Sequence, residues 1–127
     1  MLGKQQKIRA KLINLEKDNI DLENIPQKKY TKWFDYDKIK GSIVIRTRKP
    51  GDYLTVNAMN QKKTLKAYFI DNKIPQQERD QINLVTDGNH VMWIVGERIS
   101  NYYKVGEDTR TILTLTYEED VSWWGAE

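Results

Sequence analysis

Apolar residues recur with a helical period in one long stretch of this chain, residues 62–80. Leu65, Tyr68 and Phe69 stand three and four positions apart, so they would share one face of a helix. That face is expected to be buried. The stretch is the part of the chain around which the rest is predicted to be arranged.

The same stretch carries a proline and a regular set of lysines. Pro75 cannot continue the helix but suits the first turn of another, which predicts a corner and then a helical turn over residues 76–80. If the first helix held from end to end, three lysines would lie along one line on its surface: Lys62, Lys66 and Lys73. Such a row is either a solvated helix face or a ridge that contacts an anionic partner.

Strand-type patterns flank this helical block on both sides. The run HVMWIV is apolar on both faces and predicts a central strand, and Asp87-Gly88 between two apolar runs predicts a hairpin. Tyr102, Tyr103 and Val105 are expected in a short strand or an extended piece. The predicted strands are residues 42–47, 82–86, 90–95 and 109–117.

The two ends of the chain have weaker patterns. Ile8, Leu12 and Ile13 are near helical spacing, so residues 1–29 are interpreted as a short helix or the remains of a linker, with alternation compatible with an edge strand over 19–25. The acidic tail, residues 118–127, has no place in the strand pattern. Its Trp123 and Trp124 either fold back onto the domain or meet a partner surface.

Four aromatic rings crowd into seven residues before the first central strand: Tyr30, Trp33, Phe34 and Tyr36. They are interpreted mainly as rings packed beneath the following strand, since stacking on unpaired bases would need them exposed. Strands before and after a helical block predict an α+β fold with a mainly antiparallel sheet. A chain of 127 residues suits one such domain.

Charge is distributed unevenly along the chain. The net charge is only +3, but residues 40–79 hold nine basic and three acidic residues, whereas residues 107–127 hold one basic and six acidic residues. The cationic middle favours a polyanionic partner, most simply RNA or DNA, with an acidic protein surface as the alternative.

Several kinds of chemistry are missing from the sequence. Cysteine is absent, which excludes disulfides, thiol catalysis and Cys-ligated zinc, and the single histidine, His90, lies in an apolar run and is predicted to be an interior strand residue rather than a metal ligand. No two glycines are adjacent, so there is no phosphate loop. We predict no catalytic residue and no metal site. The lack of a long apolar run or a leader predicts a cytoplasmic protein that does not contact the membrane.

The sequence RTRKPGDYL predicts a tight turn that presents basic side chains together. Proline sets one backbone angle of the turn and glycine supplies a positive φ. The aspartate that follows is expected to accept backbone NH groups or to pair with an arginine, rather than to act in acid–base chemistry. The predicted structural residues of the turn are Pro50, Gly51 and Asp52.

A longer pattern resembles a known family. The order is Arg-x-Arg-x-Pro-Gly-Asp, Lys-x-Leu-Lys ahead of Phe, Lys-Ile-Pro, Arg-Asp, a hairpin, and Trp-x-x-Gly-x-Arg-Ile. This pattern is similar to the C-terminal domain of bacterial tRNA(Ile)-lysidine synthetase and covers more than half of the chain. The matching positions are Arg46, Arg48, Pro50, Gly51, Asp52, Lys63, Leu65, Lys66, Phe69, Lys73, Ile74, Pro75, Arg79, Asp80, Trp93, Gly96, Arg98 and Ile99.

The resemblance implies a parent enzyme that uses ATP to adenylate the wobble cytidine of an isoleucine tRNA and then joins lysine to it. ATP and magnesium would bind a catalytic N-terminal domain whose motif this sequence lacks, so the chain alone should need no cofactor and be inactive. The implied fold is a small sandwich with one helix plus a helical turn, similar to a domain of the phenylalanyl-tRNA synthetase β chain. The expected division is a junction over 1–29, a tRNA-binding domain over 30–117 and an acidic tail over 118–127.

The implied partners are the acceptor stem of the tRNA and the parent's own catalytic domain. Since an A-form stem hides its base edges, the domain is expected to contact phosphates and 2′-hydroxyls. For Arg79 two roles are open, a contact with RNA or an ion pair with Asp71 or Glu78. The predicted RNA contacts are Arg46, Arg48, Lys49, Lys62, Lys63, Lys66, Lys73 and Arg79.

A second reading makes the chain a packing or dimerisation module without RNA contact. Its aromatic residues would then meet another protein surface, and a homodimer is compatible with this alternative. The residues concerned are Trp33, Phe34, Trp123 and Trp124.

Overall fold

Two β-sheets and two short helices form the main regular structure of the described residues. The computed structural model describes residues 3–18, 25 and 28–122. The strands are β1 (Gly3–Asn14), β2 (Thr31–Asp35), β3 (Ile43–Arg46), β4 (Tyr53–Thr55), β5 (Lys62–Thr64), β6 (Leu84–Asp87), β7 (His90–Ile94), β8 (Arg98–Ile99) and β9 (Thr111–Ser122). The helices are α1 (Leu65–Asp71) and α2 (Gln76–Arg79), with single 3₁₀ turns at Tyr36–Lys38 and Asn101–Tyr103.

The strands pair almost entirely in antiparallel fashion. The first sheet has the order β1-β9-β2, and the second has the order β3-β6-β7-β4-β5 with β8 added to β7. Within the described part of the chain only β4 and β7 run parallel, joined at Tyr53 and His90. The predicted α+β class with a mainly antiparallel sheet is confirmed.

Two apolar clusters define three layers. Between the two sheets, Phe34 and Leu113 of the first sheet pack with Met92 and Trp93 of the second. On the other face of the second sheet, α1 buries its apolar side against Leu54 and the neighbouring strands. The second sheet is therefore the middle layer, and its strand β7 is buried along its whole length, as predicted from the apolar run.

The helical block is shorter than the sequence predicted. Its apolar period is confirmed, because Leu65, Tyr68 and Phe69 are all buried. The helix begins three residues late, however, since residues 62–64 form β5 beside β4 and the Thr64 hydroxyl caps α1 by accepting from the Ala67 NH at 3.1 Å. The prediction that three lysines line up along one helix is therefore wrong. Lys62 lies in β5, Lys66 lies on α1, and Lys73 lies beyond the end of α1.

The first strand corrects the expected helix or linker. β1 pairs with β9 from Gly3 to Asn14, so the apolar residues that suggested a helical period belong to an extended chain. β9 likewise continues to Ser122, five residues beyond the predicted end. Residues 19–24, with most of the proposed edge strand, and Trp123 and Trp124 lie outside the described residues.

The hairpin at Asp87-Gly88 is confirmed, and Gly88 has φ +65° as a tight turn requires. The next segment differs from its prediction, because Asn101–Tyr103 forms a 3₁₀ turn rather than a strand. Packing explains the difference: this turn buries the ring of Tyr103 against the two-sheet core.

The aromatic group before β3 divides into buried and exposed rings. Phe34 is fully buried, as the packing interpretation requires, while Tyr30 and Tyr36 are 46% and 42% exposed. Phe34 therefore cannot form part of a surface that meets another protein. No helix in the described ranges is long and apolar enough to cross a membrane.

Candidate nucleic-acid interface

The turn after β3 is held together by one aspartate. Both carboxylate oxygens of Asp52 accept from the Arg46 guanidinium at 2.8 Å, and one also accepts from the Lys49 NH at 2.8 Å. Arg46 and Asp52 are 13% and 1% exposed in their side chains. Arg46, one of the predicted RNA contacts, instead fixes the turn from within, and its charge is neutralised.

Burial and hydrogen bonding act against each other on this aspartate. Burial alone would raise the pKa of Asp52, but the bonds from Arg46, the Lys49 NH and the Asn89 amide outweigh it and lower the pKa. The pKa of Arg46 is raised, chiefly by its bond to Asp52. Both groups are therefore charged at neutral pH.

The glycine of this turn provides a local test. Gly51 has φ +88°, and an added Cβ would lie 3.6 Å from the Asn89 amide nitrogen, an ordinary contact. Gly51→Ala is expected to lower the free energy of unfolding by about 1 kcal/mol, because only the left-handed backbone opposes it.

Urea denaturation would measure this loss, with Gly106→Ala as the matched control. A Cβ on Gly106 would meet nothing within 4 Å, so that variant should stay within about 0.5 kcal/mol of the parent. Equal stabilities for the two variants would show that the turn does not require a positive φ.

The turn and the start of α1 enclose an open concavity of about 500 Å³. Arg48 donates to Asp80 at 2.7 Å on its wall, and its guanidinium carbon lies 5.8 Å from the centre of the Phe69 ring. Lys49 and Lys66 are exposed, and within the described part of the chain neither pairs with a carboxylate. The concavity is lined by Arg48, Lys49, Pro50, Gly51, Asp52, Thr64, Leu65, Lys66 and Asp80.

Net charge at this concavity is positive. The Asp52 charge is balanced by Arg46 behind it, and the Asp80 charge by Arg48, which leaves the two lysines in excess. This arrangement can hold a chain of anions, such as a phosphate backbone, without burying an unpaired charge.

The other predicted contacts are dispersed. The Lys63 ammonium pairs with Asp71, and Arg79 donates to the Ile74 carbonyl at 2.9 Å rather than to either acid considered for it. Lys73 follows α1 with φ +54° and does not line this concavity. Lys62 lies over the Tyr53 ring, 4.8 Å from its centre, beside a different concavity.

Sequence reasoning missed two contributors to the site. Asp80 was not recognised as the partner of Arg48, because 32 residues separate them in the chain. Thr64 is the second contributor. Threonine is a preferred N-cap residue, so its presence in the sequence could have predicted where α1 begins. Its position beside the turn is what brings Lys66 to the concavity.

These features define a class of protein: a sheet-dominated α+β domain with a cationic concavity. In the ranges that the structure covers, no group of three or more metal-binding side chains is present.

Comparison with known proteins identifies the family. Residues 43–118 match the family described as TilS substrate C-terminal domain. The chain belongs to this family, as the sequence pattern suggested.

Curated relatives extend the match. The chain is 42% identical over 103 residues to tRNA(Ile)-lysidine synthase of Caldanaerobacter subterraneus subsp. tengcongensis, covering 81% of this chain and 22% of that protein. It is 47% identical over 89 residues to the enzyme of the same name from Clostridium tetani, covering 70% of this chain and 19% of that protein. The chain thus spans about a fifth of the length of these relatives.

A solved structure supports the fold. The protein superposes on a structure titled "Crystal structure of TILS C-terminal domain" with a TM-score of 0.64, covering 89% of this chain and 83% of that one. The two sequences are 24% identical, so this likeness shows the fold alone.

Proposed function

We propose that this domain holds an isoleucine tRNA by the backbone of its acceptor stem, in the service of a parent tRNA(Ile)-lysidine synthase. Both relatives are tRNA(Ile)-lysidine synthases, which supports an isoleucine tRNA as the ligand and lysidine synthesis as the activity of the parent. ATP and magnesium would act in a catalytic domain that this chain does not contain, and the ligation of lysine to cytidine would take place there. This domain would contribute binding energy and position.

The observation that carries the proposal is the pair of exposed lysines at the concavity. Lys49 comes from the turn and Lys66 from α1, and among the described side chains no carboxylate neutralises either one. Two ammonium groups on separate elements around one open surface match successive phosphates better than a single anion.

Arg48 is the third cation of the site, and little free energy is needed to release it from its ion pair. Arg48 is paired with Asp80, the two side chains are 30% and 75% exposed, and a partly exposed ion pair of this kind contributes less than about 1 kcal/mol. A phosphate can therefore compete for the guanidinium, onto which it would fork with two hydrogen bonds. About three phosphate contacts would give a log–log salt slope of about −3.

Charge reversal at the two lysines tests the proposal. Lys66→Glu is expected to weaken tRNA binding about tenfold at low salt and to reduce the salt slope by about one, because one phosphate contact becomes a repulsion. Lys49→Glu should do the same, and the double variant should lose more than either. Filter binding at two salt concentrations measures all three.

Lys11→Glu is the matched control. Lys11 is an exposed lysine of β1 in the other sheet, and its reversal changes the net charge equally. If all the reversals weaken binding alike, the effect comes from net charge and the concavity is not the site. A tRNA without its acceptor stem should bind much more weakly, and equal, salt-insensitive binding of both RNAs would favour a protein-contact role instead.

A further inference from the structure

A second concavity, of about 440 Å³, lies between β4, the start of β7 and the 3₁₀ turn Asn101–Tyr103. None of its residues lines the cationic concavity described above. Its walls combine aromatic rings with lysines, whereas the lining of the cationic concavity contains no aromatic residue. The surface is therefore a separate candidate for recognition.

The floor of this concavity is preorganised. The His90 Nε2 and the Ser100 hydroxyl are 2.8 Å apart, and that hydroxyl lies 2.7 Å from the Thr55 hydroxyl. All three residues are buried. Because burial lowers the pKa of His90 to about 4, the imidazole is neutral at physiological pH and adds no charge to the floor.

Two tyrosine rings rise from this floor. The ring centres of Tyr53 and Tyr102 lie 4.6 and 5.5 Å from that of His90. The Lys62 ammonium lies 4.8 Å from the Tyr53 ring centre, and the Lys38 ammonium lies 5.2 Å from that of Tyr102. Long flexible lysines thus cover the ring faces, and such side chains can move aside for a flat ligand while keeping their charge nearby.

The charge of the walls favours an anion. Lys38, Lys40 and Lys62 face a single acid, Asp87. That carboxylate is already occupied, since it accepts from the Lys40 and Gly41 NH groups at 3.0 and 2.9 Å and from the Tyr103 hydroxyl at 2.9 Å. The ammonium groups therefore remain available to a ligand.

We propose that this second concavity binds one unpaired nucleotide of the RNA, with its base against Tyr53 or Tyr102 and its phosphate between the lysines. The inference rests on the proposed function, because it takes the ligand to be part of the same tRNA. A base within a duplex has both faces covered by its neighbours, so only a nucleotide beyond the end of a stem, or extruded from it, can stack on these rings.

The direct test uses adenosine 5′-monophosphate as the probe and NMR as the readout. The chain has one histidine, so the ring resonances of His90 report on the floor without overlap from another. Adenosine 5′-monophosphate should shift His90 and the two tyrosines in a saturable way. Adenosine and ribose 5-phosphate should each bind more weakly, because adenosine lacks the phosphate that contacts the lysines and ribose 5-phosphate lacks the base that stacks on a tyrosine.

Two variants and a control locate the binding. Tyr102→Leu removes the stacking face and Lys38→Gln removes one charge, and each should weaken the nucleotide about tenfold. Lys11→Gln, in the other sheet, should leave binding unchanged. Thermal unfolding verifies that each variant is folded, and equal nucleotide affinity in folded Tyr102→Leu and parent protein would overturn the proposal.

An RNA pair separates this proposal from the proposed function. A stem–loop with unpaired 3′ nucleotides should bind more tightly than the same stem with a blunt end, and Tyr102→Leu should abolish the difference. Equal binding of the two RNAs overturns the second site while leaving the acceptor-stem proposal intact. An advantage for the overhang that survives Lys49→Glu and Lys66→Glu supports the second site, whereas an unchanged affinity of these two variants for the blunt stem counts against the first.

Discussion

As the pH falls from about 7 to about 5, the free energy of unfolding of this protein will decrease by about 2 kcal/mol. The cause is a single buried imidazole. Burial, with a smaller contribution from the nearby Lys62, lowers the pKa of His90 from 6.5 to about 4, although Asp87 opposes the shift. The His90 ring packs against those of Tyr53, Tyr102 and Tyr103.

The direction follows from where the proton binds. Above the ordinary pKa of 6.5 the histidine is neutral whether the chain is folded or unfolded, so its contribution to stability is complete. Below that pH the unfolded chain takes up the proton and the folded chain does not, until the folded pKa of about 4 is reached. Stability is therefore lost across this window.

Urea denaturation at several pH values measures the loss, and His90→Gln is the informative variant. Glutamine can still hydrogen-bond but does not titrate, and no other histidine exists in the chain. The variant should be nearly insensitive to pH in this window. A parent protein whose stability is flat between these pH values would contradict the buried, neutral histidine.

Removing the carboxylate of Asp52 will strongly destabilise the protein. Asp52→Ala should lower the free energy of unfolding by about 3 kcal/mol, because it leaves the Arg46 guanidinium buried without its partner. The Lys49 NH and the Asn89 amide lose their acceptor at the same time. Urea or thermal unfolding gives the value.

Asp80→Ala is the control of the same residue type. It also removes the partner of an arginine, Arg48, but that pair is partly exposed, with Arg48 at 30% and Asp80 at 75%, so the expected loss is under about 1 kcal/mol. Adding Arg46→Met to Asp52→Ala should restore part of the stability, since the stranded charge is gone. Similar losses for Asp52→Ala and Asp80→Ala would mean that burial does not distinguish the two pairs.

Local signals in the sequence predicted the middle of the fold well. The Asp87-Gly88 hairpin, the buried strand β7 and the apolar face of α1 depend on neighbours a few residues apart, and the structure has all three. Pro75 likewise marked the start of α2. In each case backbone chemistry and periodicity pointed to the same element.

The errors occur where distant partners decide the structure. β1 resembles a helix in its spacing, and only pairing with β9, about a hundred residues away, makes it a strand. Lys62 lies in β5 because β4 is beside it. The candidate site was predicted only in part for the same reason. The sequence shows the basic residues of the turn, but the pairing of Arg48 with Asp80 and the tyrosine-lined concavity depend on residues that are distant in the chain.

The central strand of the first sheet, β9, is also the last strand in the part of the chain that the structure describes. β1 and β2 both pair with β9, and neither pairs with the other. During synthesis the middle sheet and its helix can therefore assemble early, while β1 and β2 wait with open edges until β9 leaves the ribosome. Such long-range closure is slow, so the first sheet is expected to form after the middle sheet.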